Sequence, residues 1–206
     1  MSDSVERRNL ARAAAHLAAH RRLAVPPLAL MTDDERLADP LAAARALPRG
    51  SMVVVRARDA AKRMALAQAL MKLSRVRGLI VLIADDAALA ASCGADGLHL
   101  PQTRLGDAMH QRARHPAWLI TASAHSLAAL GKAMRLPVDA VFLSPVFATK
   151  SHPGRAALTA VRANLIARAG ASLPVYALGG IDARSAGLLA KSFFGIAAIG
   201  GLDVQP

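Results

Sequence analysis

Eight short apolar or β-branched runs recur along the chain, each separated from the next by a segment with helical spacing. This alternation constrains the fold more than any other feature. The runs are LALMTD (28–33), MVVVRA (52–57), GLIVLIAD (78–85), GLHLP (97–101), LITASAH (119–125), AVFLSPVF (140–147), PVYALGG (174–180) and FGIAAIGGLD (194–203). Strands that alternate with helices form βαβ units and a parallel sheet. Several of the runs are apolar on both faces, as strands covered on both sides should be. The expected fold is α/β, a (β/α)₈ TIM barrel. Its length of 206 residues is short for that fold, which typically takes about 250, so tight loops are expected.

The intervening helices are expected near 36–47, 59–75, 86–93, 104–114, 126–135, 158–169 and 182–191, with Ser126, Thr159 and Asp182 among the capping residues. An additional amphipathic helix over roughly 4–21 precedes the first strand, with Leu10, Ala14, Leu17 and Arg21 on one stripe. The Pro26-Pro27 pair divides the chain into an N-terminal helical segment (1–24) packing on a single barrel domain (25–206). The eighth run lies just before Pro206, so no eighth outer helix is expected, and the N-terminal helix is a candidate to cover that gap or the barrel's underside. A flank left exposed there would suit a second copy of the chain, a homodimer.

Charge and hydropathy narrow the function classes. The 26 Lys and Arg outnumber the 14 Asp and Glu, giving a formal net charge of +12. A basic balance raises nucleic-acid binding as a hypothesis. The basic residues are spread along the chain, however, and aromatics make up only 3% of it, which leaves few stacking platforms for single strands. A charged solvent face with a site for small anionic substrates is the better reading. Cys93 is the single cysteine, which excludes a disulfide framework and fits a reducing compartment. No apolar run is long enough to span a membrane and the N-terminal stretch carries charge throughout, so a cytoplasmic protein is expected.

Three phrases, CGADGLHLPQ (93–102), SPVFATKSHPG (144–154) and PVYALGGI (174–181), resemble the thiamin-phosphate synthase and thiazole-tautomerase (TenI-like) family, in the family's order. The resemblance runs from residue 28 to the eighth strand. It implies a (β/α)₈ barrel of thiamine biosynthesis that binds phosphorylated ligands at the strand C-terminal ends. A synthase of this kind is a transferase: it joins a pyrimidine diphosphate to a thiazole phosphate with Mg²⁺ and releases pyrophosphate. A tautomerase moves a proton on a carboxylated thiazole phosphate.

Candidate site residues follow from strand ends and from that resemblance. Arg56 and Arg58 are two residues apart at the end of the second strand, so their side chains are expected on one face, suited to gripping phosphate oxygens. They resemble the Arg and Lys of the family's Gln-x-Arg-x-Lys, with Val54 where the Gln stands. Gly179-Gly180 and Gly200-Gly201 follow the seventh and eighth strands, where barrels often bind phosphate on backbone N–H groups. The sixth-strand segment contributes Ser144, Thr149, Lys150, Ser151 and His152 as donors for an anion; Thr149 and Lys150 resemble the family's anion-binding pair. His125 ends the fifth strand and matches a His that the tautomerase branch associates with proton transfer, a role suited to imidazole. His99, inside the fourth strand, reads as a core residue.

The metal site is the main departure from the family. The synthase holds Mg²⁺ with an Asp of an Asn-Asp pair after the third strand and another Asp after the fourth; here the positions read Ala84-Asp85 and Arg104. Mg²⁺ demands hard oxygen ligands. Asp85 is therefore expected either to hold Mg²⁺ with the substrate's own phosphates or to pair with Arg104 without a metal. The expected function is synthase-like, coupling thiazole phosphate to pyrimidine diphosphate. Thiazole tautomerisation and a non-catalytic phosphate-ligand barrel are the alternatives.

Overall fold

The computed structural model describes residues 3–19, 21, 25–149, 157–170 and 172–204. Eight parallel strands close into a barrel in sequence order: β1 (Leu28–Met31), β2 (Met52–Val55), β3 (Ile80–Ala84), β4 (Gly97–Leu100), β5 (Leu119–Ala124), β6 (Ala140–Leu143), β7 (Val175–Ala177) and β8 (Gly195–Ala198). β8 returns to β1, with Leu28 opposite Ile196 and Leu30 opposite Ala198. All eight apolar runs form strands, and the closed barrel is the expected (β/α)₈ architecture.

Alternation along each strand divides the interior in two. Ala29 and Met31, Met52 and Val54, and Ala140 and Phe142 point into the barrel lumen. Leu28 and Leu30, Val53 and Val55, and Val141 and Leu143 join the larger core between strands and helices. In an almost aromatic-free chain, Phe142, Tyr176 and Phe194 fill the lumen. Phe142 and Tyr176 stack at 4.8 Å, Tyr176 meets Phe194 edge-on at 5.7 Å, and the Tyr176 hydroxyl donates to the Pro26 carbonyl. Burial raises the Tyr176 pKa, so this hydroxyl stays a donor.

The helices are α1 (Asp3–Ala18), α2 (Pro40–Arg45), α3 (Ala60–Arg77), α4 (Ala87–Cys93), α5 (Asp107–Arg114), α6 (Leu127–Ala133) and α7 (Ala160–Ala169). Side-chain caps start most of them: Asp59 accepts from Lys62 N at 2.7 Å, Asp86 from Leu89 N at 2.9 Å and Ser126 from Ala129 N at 3.1 Å. α1 packs on β8, β1 and the turn after β8, burying Leu10, Ala14 and Leu17. It thus covers the flank whose exposure had suggested a second subunit.

Two expected helices differ. The segment over 36–47 yields only Pro40–Arg45, because the residue before a proline is pushed out of the α region; Asp39 sits at φ −130°, ψ 90° and caps the helix. Residues ahead of it form a turn above β1, where Asp33 Oδ1 accepts the N–H groups of Glu35 and Arg36. The segment over 182–191 yields only a 3₁₀ turn at Ser185–Leu188. Here Asn164 of α7 takes over the groups a helix would have used internally, donating to Leu188 C=O at 3.2 Å and accepting from Ala190 N at 2.9 Å. Asp182 caps the turn, accepting from Ser185 N at 2.6 Å.

Candidate active site

A cavity of about 590 Å³ opens at the C-terminal ends of the strands, where barrel chemistry is found. Its wall brings together Arg56, His125, Ser144, Thr149, Gly179, Gly180, Gly200 and Gly201 from the residues singled out in the sequence. Lys150, Ser151 and His152 lie outside the described residues. Because strand order equals chain order, the wall has two sides. The β7, β8, β1 and β2 ends carry the glycines and arginines; the β5 and β6 ends carry His125, Ser144 and Thr149.

His125 is held at both ends. Its backbone N–H donates to Gln102 Oε1 at 2.8 Å, and its ring Nδ1 lies 2.7 Å from the Ser144 carbonyl oxygen. A carbonyl only accepts, so Nδ1 carries a proton, which in the neutral ring leaves the lone pair on Nε2. The Ser144 hydroxyl also lies 3.2 Å from Nδ1. The sequence singled out both residues; their pairing across β5 and β6 comes from the barrel.

Below this wall, His99 is fully satisfied. Nδ1 is 2.9 Å from Thr121 Oγ1 and Nε2 is 2.9 Å from Ser123 Oγ, while its ring meets Phe142 edge-on at 5.0 Å. Burial, assisted by the charge of Arg56, pulls its pKa to about 3. It is a neutral imidazole that orients Ser123, which lines the cavity.

The two glycine turns differ in what they require. Gly179 and Gly180 have φ of 95° and 64°, and a Cβ on Gly180 would come within 2.4 Å of Ala148 C=O. Both therefore serve the close approach of the β6 and β7 loops, whatever they bind. A Cβ on Gly200 would meet nothing within 4 Å. Gly200 and Gly201 open a 3₁₀ turn whose bond from Leu202 N to Ile199 C=O spans 3.1 Å, and a Cβ on Gly201, unlike one on Gly200, would come within 2.9 Å of Ile181 C=O.

Of the two arginines after β2, the structure brings only Arg56 to the cavity. β2 ends at Val55 and the chain bends, so the strand alternation that would have aligned Arg58 with Arg56 no longer applies. Arg58 is 90% exposed and reaches Glu35 at 3.2 Å, while its backbone N–H donates to Asp34 at 2.9 Å. Arg36, which sequence reading placed on an outer helix, lines the cavity instead. Asp33 joins the two cavity arginines: Arg36 Nη2 lies at 2.5 Å and Arg56 Nη2 at 2.8 Å. Burial alone would raise the Asp33 pKa, but the hydrogen bonds from Arg36 and Arg56 outweigh it and hold it at about 2. Asp182 also lines the cavity, its pKa lowered chiefly by the Ser185 N–H bond; the sequence marked it only as a cap.

Asp85 does not offer a fit to Mg²⁺. Its Oδ1 accepts from Arg104 Nη1 at 2.8 Å, and Arg104 also pairs with Asp107 at 2.6 Å. A guanidinium thus stands between the two carboxylates and pairs with both, occupying the oxygens a cation would need. Among the described residues no group of three or more His, Cys, Asp or Glu is placed to hold a metal ion. Asp85 itself sits at φ 56°, a left-handed conformation that Asp tolerates better than most residues.

Comparison with known proteins decides the family. The sequence profile of the thiamine monophosphate synthase (TMP-TENI) family matches residues 28–202. The chain belongs to this family. A thiamine-phosphate synthase of Azorhizobium caulinodans is 32% identical over 76% of the chain and 76% of its own length. One from Methanoculleus marisnigri is 35% identical over 65% of the chain and 64% of its own length, so the chain spans somewhat less than two thirds of that relative. A solved thiamine phosphate pyrophosphorylase from Pyrococcus furiosus superimposes with a TM-score of 0.66, covering 84% of both chains at 22% identity, a likeness of fold. Among the described residues, no helix is long and apolar enough to cross a membrane.

Proposed function

We propose that this family member is a cytoplasmic enzyme of thiamine biosynthesis that binds a thiazole phosphate at the barrel mouth and acts on it by proton transfer through His125, without a bound metal. The observation that carries this reading is the Nδ1–H contact of His125 with Ser144 C=O at 2.7 Å. It fixes the tautomer and leaves Nε2 as the base at the cavity wall, able to take a proton from one position of the ligand and return it at another. Gly200, Gly201 and Arg56 would hold the phosphate, the turn through its N–H groups and Arg56 through charge-assisted hydrogen bonds. Ser144 and Thr149 would add donors from β6. The pairing of Arg104 with Asp85 and Asp107 favours proton transfer over a reaction that relies on Mg²⁺ to stabilise departing pyrophosphate.

The synthase reaction is the second reading, favoured by the names of the relatives at 32–35% identity. One experiment separates the two. Purified protein is given carboxylated thiazole phosphate alone, and separately thiazole phosphate with pyrimidine diphosphate and Mg²⁺. Proton transfer is expected as a change in thiazole absorbance without a second substrate. Formation of thiamin phosphate and pyrophosphate in the second sample, with no change in the first, would assign the synthase reaction instead. Binding without either reaction would leave a phosphate-ligand barrel.

A further inference from the structure

The acidic run Asp33-Asp34-Glu35 after β1 sorts three arginines. Asp34 accepts the backbone N–H of Arg58 at 2.9 Å and Glu35 the Arg58 side chain at 3.2 Å, drawing Arg58 out to solvent. Asp33 takes Arg36 through Nε at 3.1 Å and Nη2 at 2.5 Å, and Arg56 through Nη2 at 2.8 Å. Asp33 is largely buried, with 13% of its side chain exposed, so the carboxylate sits behind the arginines rather than in front of them. Two guanidiniums share one carboxylate, and the cluster presents net positive charge on a wall that both line. The Arg56 guanidinium donates to Asp33 at 2.8 Å, while its backbone N–H donates to Thr32 Oγ1 at 2.8 Å.

Position in the barrel adds a second argument. Arg36 follows β1, which lies between β8 and β2 in the ring. It therefore stands between the Gly200-Gly201 turn and Arg56, the two elements on that side of the cavity proposed above to hold phosphate. An outer-helix residue could not reach this place; the extended Asp39 ahead of Pro40 keeps Arg36 in the turn.

We propose that Arg36 is a ligand-binding residue of this site, and that with Arg56 it forms a two-guanidinium grip for an anionic group of the ligand, continuous with the glycine turn after β8. A guanidinium fixed by a carboxylate behind it is already oriented, so less side-chain entropy is lost on binding a carboxylate or phosphoryl group. The site is then matched to small ligands carrying two anionic groups, one on the Gly200-Gly201 N–H groups and one on the arginines. Arg58 has no part in it. This deepens the proposed reading, on which it rests for the presence of a phosphorylated ligand.

The test is calorimetric titration of the full-length protein with inorganic pyrophosphate as the probe. The wild type is expected to bind, Arg36→Ala to bind about tenfold or more weakly from loss of a charge-assisted contact, and Arg58→Ala to bind as the wild type does. Arg36→Lys keeps the charge without the fork and is expected between the wild type and Arg36→Ala, which keeps the comparison meaningful if the alanine variant unfolds. Equal affinity in the wild type and both Arg36 variants, loss of affinity in Arg58→Ala, or no binding by the wild type would each overturn the grip. Thiazole turnover that does not depend on Arg36 would leave the function standing and the grip refuted. Pyrophosphate binding that depends on Arg36, in a protein that neither binds nor alters thiazole phosphate, would do the reverse.

Discussion

His125 and Ser144 come from neighbouring strand ends, and the 2.7 Å contact between the ring Nδ1 and the Ser144 carbonyl oxygen commits the imidazole to one tautomer. Since a backbone carbonyl supplies the contact, no side-chain substitution at 144 abolishes it directly. His125→Gln should therefore lower thiazole proton transfer by about 10² to 10⁴ with little change in phosphate affinity, whereas Ser144→Ala should cost far less. Steady-state absorbance kinetics alongside calorimetry would separate the effects, and retained turnover in His125→Gln would reject the acid/base role.

Arg104 holds two carboxylates with its own charge, 2.8 Å from Asp85 and 2.6 Å from Asp107. Mg²⁺ should leave the thermal midpoint of the wild type unchanged. Arg104→Asp removes the internal cation and gathers three carboxylates, so the variant should be less stable in chelator and regain stability on adding Mg²⁺, because an ion bound only by the folded state stabilises it. A Mg²⁺-dependent rise in the wild-type midpoint would contradict this account.

Acid sensitivity should trace to His99. Folded, it remains neutral down to about pH 3; unfolded, it takes up a proton below about 6.5. Across that window the unfolded state binds more protons, so stability falls as pH drops, by up to about 1.4 kcal/mol per pH unit. Asp33, at about 2 rather than 3.8, acts in the same direction, but its contribution is complete above 3.8 and is lost only as pH falls toward 2. Urea midpoints between pH 6.5 and 4.5 should thus slope steeply in the wild type and less in His99→Gln. Parallel slopes would exclude His99 as the source.

The two glycine turns should respond differently to a methyl group. Gly180→Ala adds a Cβ at positive φ, 2.4 Å from Ala148 C=O, and should destabilise by more than about 1 kcal/mol while shifting the Thr149 loop. Gly200→Ala meets nothing within 4 Å and should fold at wild-type stability, so any loss of phosphate affinity there reports on the ligand site. Thermal unfolding with phosphate titration of both variants checks this.

The eight strands were legible because each is a short, largely apolar run set between segments of helical spacing, a pattern local to the chain. Most helix starts were legible for the same local reason, an Asp or Ser ahead of an Ala-rich segment. Even the short α2 had its cause in the sequence, Pro40, though its effect on Arg36 was not visible there. What the tertiary structure decided were pairings across the barrel. Asp33 and Arg56 lie 23 residues apart and Asn164 reaches Ala190 across 26, whereas the pair of Asp85 with Arg104, 19 apart, was one of two outcomes the sequence offered. Strand-end spacing placed Arg56 and Arg58 together, but Asp34 and Glu35 from the neighbouring strand end drew Arg58 away, while Asp33 beside them holds Arg36 and Arg56 at the cavity. Strand periodicity is a property of neighbours along the chain and survives into the fold. The direction of a long charged side chain at a loop is settled by whichever opposite charge the closed barrel brings within hydrogen-bonding distance.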